Sequence, residues 1–336
     1  MINSHLLCQL SYWGMTGPRI LRRGPRGVNR LPGHDHVSSM NGGRGGAQAA
    51  EATILGVVSP PLGESPARRR FAALIARPSV PLAEAALAIA EEEYPGLDTG
   101  LYLAQLDALG REVDGRLGPR RDAAATLRLL KEVLFDEEKF RGNVDAYYDP
   151  RNSFLNEVME RGLGVPITLS VVFIEVASRV GLPVQGVAFP GHFLVKYVAG
   201  AREVFIDPYH GGEILSADEC AARFQARTQG RPLDPRHLEA VSVRHILGRM
   251  LHNLKKIYVE AGDDVRALWV TDRLVLLAPE EPAERRDRGL IEARLGGTAA
   301  ALADLGAYIT AAPAAEDVEE VSELCRQLRG RANFLN

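Results

Sequence analysis

Cysteine is scarce in this chain, and its few cysteines are far apart. Three of them, Cys8, Cys220 and Cys325, occur among 336 residues. An odd number at such spacing fits neither a disulfide framework nor a zinc site. We therefore expect a reducing, cytoplasmic environment, in which Cys220 and Cys325 lie in later helical segments and serve as small buried apolar residues.

Long apolar runs and an excess of positive charge are also missing. The longest apolar run, around residues 171–177, is far shorter than the roughly 20 residues that span a bilayer. A net charge of -3 and a pI near 6.3 argue against a nucleic-acid binder, because affinity for a polyanion grows with the phosphates neutralised. The sequence has neither a glycine-rich phosphate loop nor a histidine cluster with metal-binding spacing. We therefore expect no nucleic-acid, membrane, metal or cofactor partner.

The start of the chain lacks apolar periodicity. Its first 50 residues contain six Arg, one acidic residue and nine Gly. Such a segment cannot bury enough apolar surface to offset its chain entropy. We predict a disordered Gly/Arg-rich tail over residues 1–58, with Met40 as an alternative start to Met1.

The next part of the sequence has the pattern of an α+β domain, which we place at residues 59–242. Helical periodicity covers 66–140, beginning with the start signal Ser65-Pro66. Ser153 is a good N-cap for a short helix ending at Arg161. A buried helix is predicted over 166–180. Three strands rich in β-branched and aromatic residues are predicted after it, at Val184 to Phe189, Phe193 to Val198 and Glu203 to Ile206.

Residues 243–336 have only helical patterns, and these patterns repeat. Ala267 and Ala301 are 34 residues apart, and so are Gly262 and Gly296. This is the period of tetratricopeptide helix pairs, although the second unit is degenerate. Two units and a closing helix are too few for an independent stack. We therefore predict that the repeats pack on the first domain.

Three separated motifs carry a family resemblance. They are Gly164-Val165-Pro166, Pro190-Gly191-His192 and Ile206-Asp207-Pro208. The stretch resembles the transglutaminase-like superfamily, in which a Cys two residues after a Gly opens a buried helix. A Gly-aliphatic-Pro turn lies 17 residues after that Gly, as Gly181 does here. The resemblance implies a papain-like core, a helix packed on a small antiparallel sheet. It places the family's His on His192, its Asp on Asp207 and its nucleophile on Pro166, which has no nucleophilic atom.

More narrowly, the chain resembles the bacterial SirB-type branch of that superfamily. The matching segments are Tyr148 to Glu157, Gly164 to Ser170 and Phe189 to Phe193. In that branch the domain lacks the nucleophile and is followed by tetratricopeptide-type helices. The motif similarity extends from about residue 66 to residue 313, which is most of the chain.

The candidate site residues have both functional and ordinary interpretations. His192 and Asp207 are a remnant dyad that binds a ligand, fixes two strands together or retains some chemistry. Ser170, one turn after Pro166, either substitutes for the thiol or bonds a preceding carbonyl. Four further residues either line the cleft beside His192 or only cap and support a helix. They are Arg151, Asn152, Asn156 and Glu157.

These residues favour a binding function without catalysis. The hypothesis is a non-catalytic protein or peptide binding module with regulatory use. One alternative is an active amidase or acyltransferase that uses Ser170 or a water activated by His192. Another is a structural scaffold with a collapsed pocket.

Overall fold

The structure of the protein is a computed structural model that describes residues 65–118, 122–200 and 202–334. The predicted disordered tail, residues 1–58, lies outside the described residues. The helices are α1 (Pro66–Ile75), α2 (Leu82–Glu93), α3 (Thr99–Arg116), α4 (Ala123–Lys131), α5 (Leu155–Arg161), α6 (Pro166–Arg179), α7 (Ala217–Arg227), α8 (Val243–Ala261), α9 (Asp264–Leu277), α10 (Pro282–Arg294), α11 (Thr298–Ala311) and α12 (Val318–Phe334). The strands are β1 (Arg141–Gly142), β2 (Leu163–Gly164), β3 (Val184–Val187), β4 (Leu194–Ala199), β5 (Arg202–Asp207) and β6 (Glu213–Leu215). This is the predicted α+β arrangement followed by helices.

The helix starts follow local capping chemistry, with one difference from prediction. The Ser65 hydroxyl accepts the Arg68 N–H at 3.0 Å, as expected for the start of α1. Ser153, however, does not cap α5. It ends a 3-10 turn that begins at Pro150, and α5 starts at Leu155. The reason is that Asp149 caps this turn by accepting the Arg151 N–H at 3.0 Å.

The main sheet has four antiparallel strands in the order β3-β4-β5-β6. Val195 pairs with Ile206 between β4 and β5, and Phe205 pairs with Leu215 between β5 and β6. The strand β6 was not predicted, and for α7 only a helical segment around Cys220 was expected, without bounds. A sequence signal for α7 exists, because Ser216 and Glu219 form a capping box at its start.

The two faces of this sheet are covered by different helices. Phe193, Val195 and Ile206 belong to the same buried cluster as α6. Leu194 and Phe205 belong to a second cluster with Cys220 of α7. Since side chains alternate along a strand, the sheet separates α6 from α7.

The first repeat helices share the core of the preceding domain. On α8 the buried residues Leu247, Met250, Leu251 and Leu254 are in one apolar cluster with residues of α2 and α6. The helices α10, α11 and α12 form a separate small cluster around Leu305 and Val321. The repeat region thus packs on the first domain through α8 and α9. The exact domain boundaries at 58 and 242 remain predictions.

None of the helices in the described residues combines the length and the apolar character that crossing a membrane requires.

Candidate functional site

The start of α6 is a rigid, buried position with a proline where the resemblance places a thiol. Pro166 is the first helical residue and is buried. The Thr168 hydroxyl fixes the start of this helix through two hydrogen bonds. It accepts the Val165 N–H at 3.1 Å and donates to the Asn152 carbonyl oxygen at 2.7 Å. The helix start is therefore well fixed, but it presents only a saturated ring.

Ser170 is not arranged as a replacement nucleophile. Its side chain is fully buried, and its hydroxyl donates to the Pro166 carbonyl oxygen at 2.8 Å. The hydroxyl thus serves the helix backbone, as one of the two interpretations of the sequence proposed.

His192 and Asp207 meet at one end of β4 and β5, and a third side chain joins them. His192 Nε2 lies 2.8 Å from Asp207 Oδ2, so the expected contact between these two residues is present. His210 Nδ1 lies 2.8 Å from the same oxygen. Asp207 Oδ1 accepts the backbone N–H groups of Tyr209 at 3.1 Å and His210 at 3.3 Å. The carboxylate is thereby hydrogen-bonded on both oxygens.

Sequence reasoning missed His210, although a local signal was available. Asp207 is the N-cap of a 3-10 turn, Pro208–His210, and Gly211 follows it with a left-handed φ of 68°. In a 3-10 helix, side chains three residues apart are eclipsed. An Asp-Pro-x-His sequence therefore brings the His back over the Asp.

The charge state of Asp207 follows from these contacts. Burial by itself raises the pKa of the carboxyl group, but the hydrogen bonds and charges of His192 and His210 outweigh burial. The net effect is a pKa below the ordinary value of an aspartate. Asp207 is therefore ionised at neutral pH.

A cavity of about 260 Å³ opens beside this cluster on the α7 side of the sheet. His192, Asp207 and His210 line it together with two arginines of α7, Arg223 and Arg227. Its apolar wall is formed by Phe189, Leu194, Leu215 and Cys220. The cavity therefore combines an apolar surface with charged groups of both signs.

Cys220 lies closer to the cluster than its sequence position suggests. We expected a buried residue in a later helix, remote from the start of α6. It is buried, but α7 brings it to the wall of the same cavity as His192. Burial raises the pKa of its thiol to about 11, with the charge of Arg223 opposing and that of Asp207 reinforcing the change. At neutral pH the thiol is therefore protonated and a weak nucleophile.

The four other predicted site residues lie around α5, and none of them lines the described cavity. Arg151 is exposed and pairs with Asp149 at 2.7 Å. Glu157 has Arg161 as a partner at 3.9 Å. A binding role for Arg151 and Glu157 stays a prediction.

The two asparagines of this group support the loop before α5. Asn152 is fully buried, and its Nδ2 donates to the Ala146 carbonyl oxygen at 2.7 Å. Its Oδ1 accepts from Asn143 Nδ2 at 3.0 Å. Asn156 is also buried, and its Oδ1 has no hydrogen-bond partner among the described residues. The contacts of Asn152 are structural, and a binding role for either asparagine stays a prediction.

An exposed aromatic loop connects this site with the repeat helices. The Tyr147 ring lies 6.2 Å from the Tyr209 ring, which in turn is 5.9 Å from the His192 ring. The Tyr148 ring is 5.0 Å from Lys256 Nζ on α8. Val144, Tyr147 and Tyr148 are all exposed, and we call this segment the aromatic loop.

Comparison with protein families agrees with the fold. Residues 101–252 match the transglutaminase-like superfamily, and residues 254–326 match the tetratricopeptide repeat. The chain therefore contains a transglutaminase-like domain followed by tetratricopeptide-type helices.

Two bacterial relatives, each named UPF0162 protein, match the chain over most of their length. That of Xylella fastidiosa (strain Temecula1) is 41% identical over 252 residues, which are 72% of this chain and 88% of that protein. That of Vibrio cholerae is 30% identical over 234 residues, 69% of this chain and 86% of that protein. The chain belongs to this UPF0162 family. The narrower SirB-type assignment stays a prediction.

A shorter match extends beyond bacteria. The human F-box only protein 21 is 29% identical over 177 residues, which are 50% of this chain and 27% of that protein. The shared part is thus a small portion of a larger protein.

Proposed function

We propose that this protein is a non-catalytic binding module that holds a peptide or protein segment in the cavity beside His192 and Asp207. One observation carries the proposal. The histidine and aspartate that the resemblance assigns to an acyl-transfer site line an open cavity, while the position that it gives to the nucleophile is Pro166. We further propose that it acts in the cytoplasm, where the free thiols of Cys220 and Cys325 would stay reduced.

The nearby hydroxyl and thiol support a role without catalysis. Ser170 already donates to a backbone carbonyl oxygen, and the Cys220 thiol is protonated at neutral pH. A thiol must lose its proton to attack an acyl group. Neither side chain is therefore activated for acyl transfer.

The chemistry of the cavity indicates the kind of ligand. Its apolar wall suits an aliphatic or aromatic side chain. Arg223 and Arg227 add positive charge at the α7 side, although Arg223 is paired with Glu213. A peptide that places an apolar side chain next to a carboxylate matches this combination. The aromatic loop extends the proposed surface toward α8, since exposed tyrosines are frequent binding anchors.

Blocking the cavity tests the binding proposal. Ala226 is exposed and lines the cavity, so Ala226→Trp should fill its entrance with little effect on folding. We expect the amount of partner protein recovered from an extract of the protein's own cells to fall at least about tenfold with this variant. Ala222→Trp, an exposed position of α7 outside the cavity lining, is the matched control and should retain them. Equal recovery by both variants would contradict binding in the cavity.

Enzyme assays test the absence of catalysis. We expect the wild-type protein to incorporate no amine donor into a Gln-containing substrate above background, because no thiolate is available. Cys220→Ser should behave identically. Thiol-sensitive incorporation that Cys220→Ser abolishes would refute the proposal, and so would amide hydrolysis that His192→Gln abolishes.

A further inference from the structure

We propose that His192, Asp207 and His210 form a binding site for one divalent transition-metal ion. The three ligand atoms are His192 Nε2, His210 Nδ1 and one carboxylate oxygen of Asp207, and all lie within 4.8 Å of one another. Both nitrogens are 2.8 Å from Asp207 Oδ2. They converge on the same oxygen, where an ion can replace the two hydrogen bonds.

The backbone fixes the relative placement of two of these ligands. Asp207 and His210 are three residues apart on a 3-10 turn, which aligns their side chains. Pro208 restricts φ within the turn, and Gly211 ends it in the left-handed region. His192 comes from a different turn, in which Gly191 has a φ of 67°. Two rigid turns on neighbouring strands thus present the ligands.

The carboxylate is oriented for ligation. Its Oδ1 is occupied by the backbone N–H groups of Tyr209 and His210, which leaves Oδ2 directed at the imidazoles. In metal sites, hydrogen bonds to the atom of a ligand side chain that does not bind the metal usually hold that side chain in place. The side chain of Asp207 is 3% exposed and that of His192 10% exposed, so little rotation is available to either.

The donor set and the space fit a zinc-like ion. Typical Zn–N and Zn–O distances are about 2.0–2.2 Å, which places tetrahedral ligand atoms about 3.3–3.6 Å apart. Each nitrogen, now 2.8 Å from Asp207 Oδ2, would therefore move slightly away from that oxygen. Each imidazole would bind the ion through a ring nitrogen that carries no proton. Two nitrogens and one oxygen suit Zn²⁺, Co²⁺ or Ni²⁺. The cavity beside the ligands, about 260 Å³, has room for water as the fourth ligand.

Zinc binding to the full-length, tag-free protein tests this site. After chelator treatment, titration calorimetry with Zn²⁺ should detect a site that is weakened at least about tenfold in His210→Ala. His210 has a 56% exposed side chain, so this variant should keep the wild-type melting temperature in chelator. Co²⁺ should give the wild-type protein a visible ligand-field spectrum that His210→Ala loses.

Two further variants make the result decisive. Asp207→Asn keeps an acceptor for the N–H groups of the turn but weakens the metal ligand, so it should also lower Zn²⁺ affinity. His237→Ala, in the 3-10 turn Pro235–Leu238, should leave the affinity unchanged. The proposal is wrong if wild type and His210→Ala bind Zn²⁺ equally well with the same Co²⁺ spectrum, or if the wild type binds no Zn²⁺. Because the assay needs no peptide, its failure would leave the binding-module proposal standing.

Discussion

Replacing Leu251 with Asp should lower the free energy of unfolding of the protein by roughly 4 kcal/mol or more, and the variant should still unfold in a single transition. Leu251 is fully buried on α8, in the cluster that also contains residues of α2 and α6. The substitution removes an apolar side chain from this core and puts an unpaired carboxylate in its place. Calorimetry and urea denaturation monitored by circular dichroism measure the effect.

An exposed apolar residue on the next helix provides the control. Val265, near the start of α9, is 68% exposed, so Val265→Asp should change stability by no more than about 0.5 kcal/mol. If Leu251→Asp produced two transitions and displaced only one, the repeats would be an independent unit. The core that α8 shares with α2 and α6 would then not make the two domains unfold as one cooperative unit.

The second large effect concerns a buried lysine between helices. Lys255 Nζ lies 2.8 Å from Glu284 Oε2 and 2.8 Å from Asp287 Oδ2, and all three side chains are buried. Lys255→Met should destabilise the protein by about 3 kcal/mol, because it leaves two buried carboxylates short of a counter-charge. His252 and Arg286 remain as their partners, which limits the loss. Lys256→Met, the adjacent and more exposed lysine, should have little effect.

The loss should depend on pH in a defined direction. Burial raises the pKa of Glu284, but hydrogen bonds and charges from His252 and Lys255 lower it to about 2 overall. A carboxyl group with a depressed native pKa stabilises the fold above its unfolded pKa of about 4.3 and loses that contribution as pH falls toward the native value. The stability gap between wild type and Lys255→Met should therefore be largest at pH 7 and narrow below about pH 4. A gap that is constant across this range would contradict the ion-pair explanation.

The parts of the fold that the sequence predicted are those with local or strongly periodic signals. Ser65 and Pro66 specify the start of α1 through contacts within its first turn. Helix α6 is a long apolar helix, and Gly181 follows its end. The β-branched and aromatic residues around Val195 and Phe205 identify two strands. For such elements, nearest-neighbour chemistry and burial favour the same structure.

The elements that were missed or left without bounds depend on tertiary contacts. The strand β6 has three residues, and only its pairing with β5 makes it a strand. Helix α7 has a clear cap but few apolar residues, so its position over the sheet was not evident. The path of the chain through β6 and α7 is what brings Cys220 and Arg223 to His192. The family resemblance indicated the His192–Asp207 pair, whereas His210 required knowledge of the 3-10 turn after β5.

The core that α8 and α9 share with the first domain also sets an order of events during synthesis. Arg68 Nε donates to Asp272 Oδ2 at 2.7 Å across a sequence separation of 204 residues, and Arg244 donates to the Ile75 carbonyl oxygen at 2.7 Å. The first contact forms only after α9 has left the ribosome, and the second only after the start of α8 has. Ribosomes add about 5–20 residues per second. The apolar faces of α2 and α6 that α8 and α9 later cover are therefore exposed for many seconds during synthesis. The nascent chain is therefore expected to bind chaperones until its repeat helices emerge.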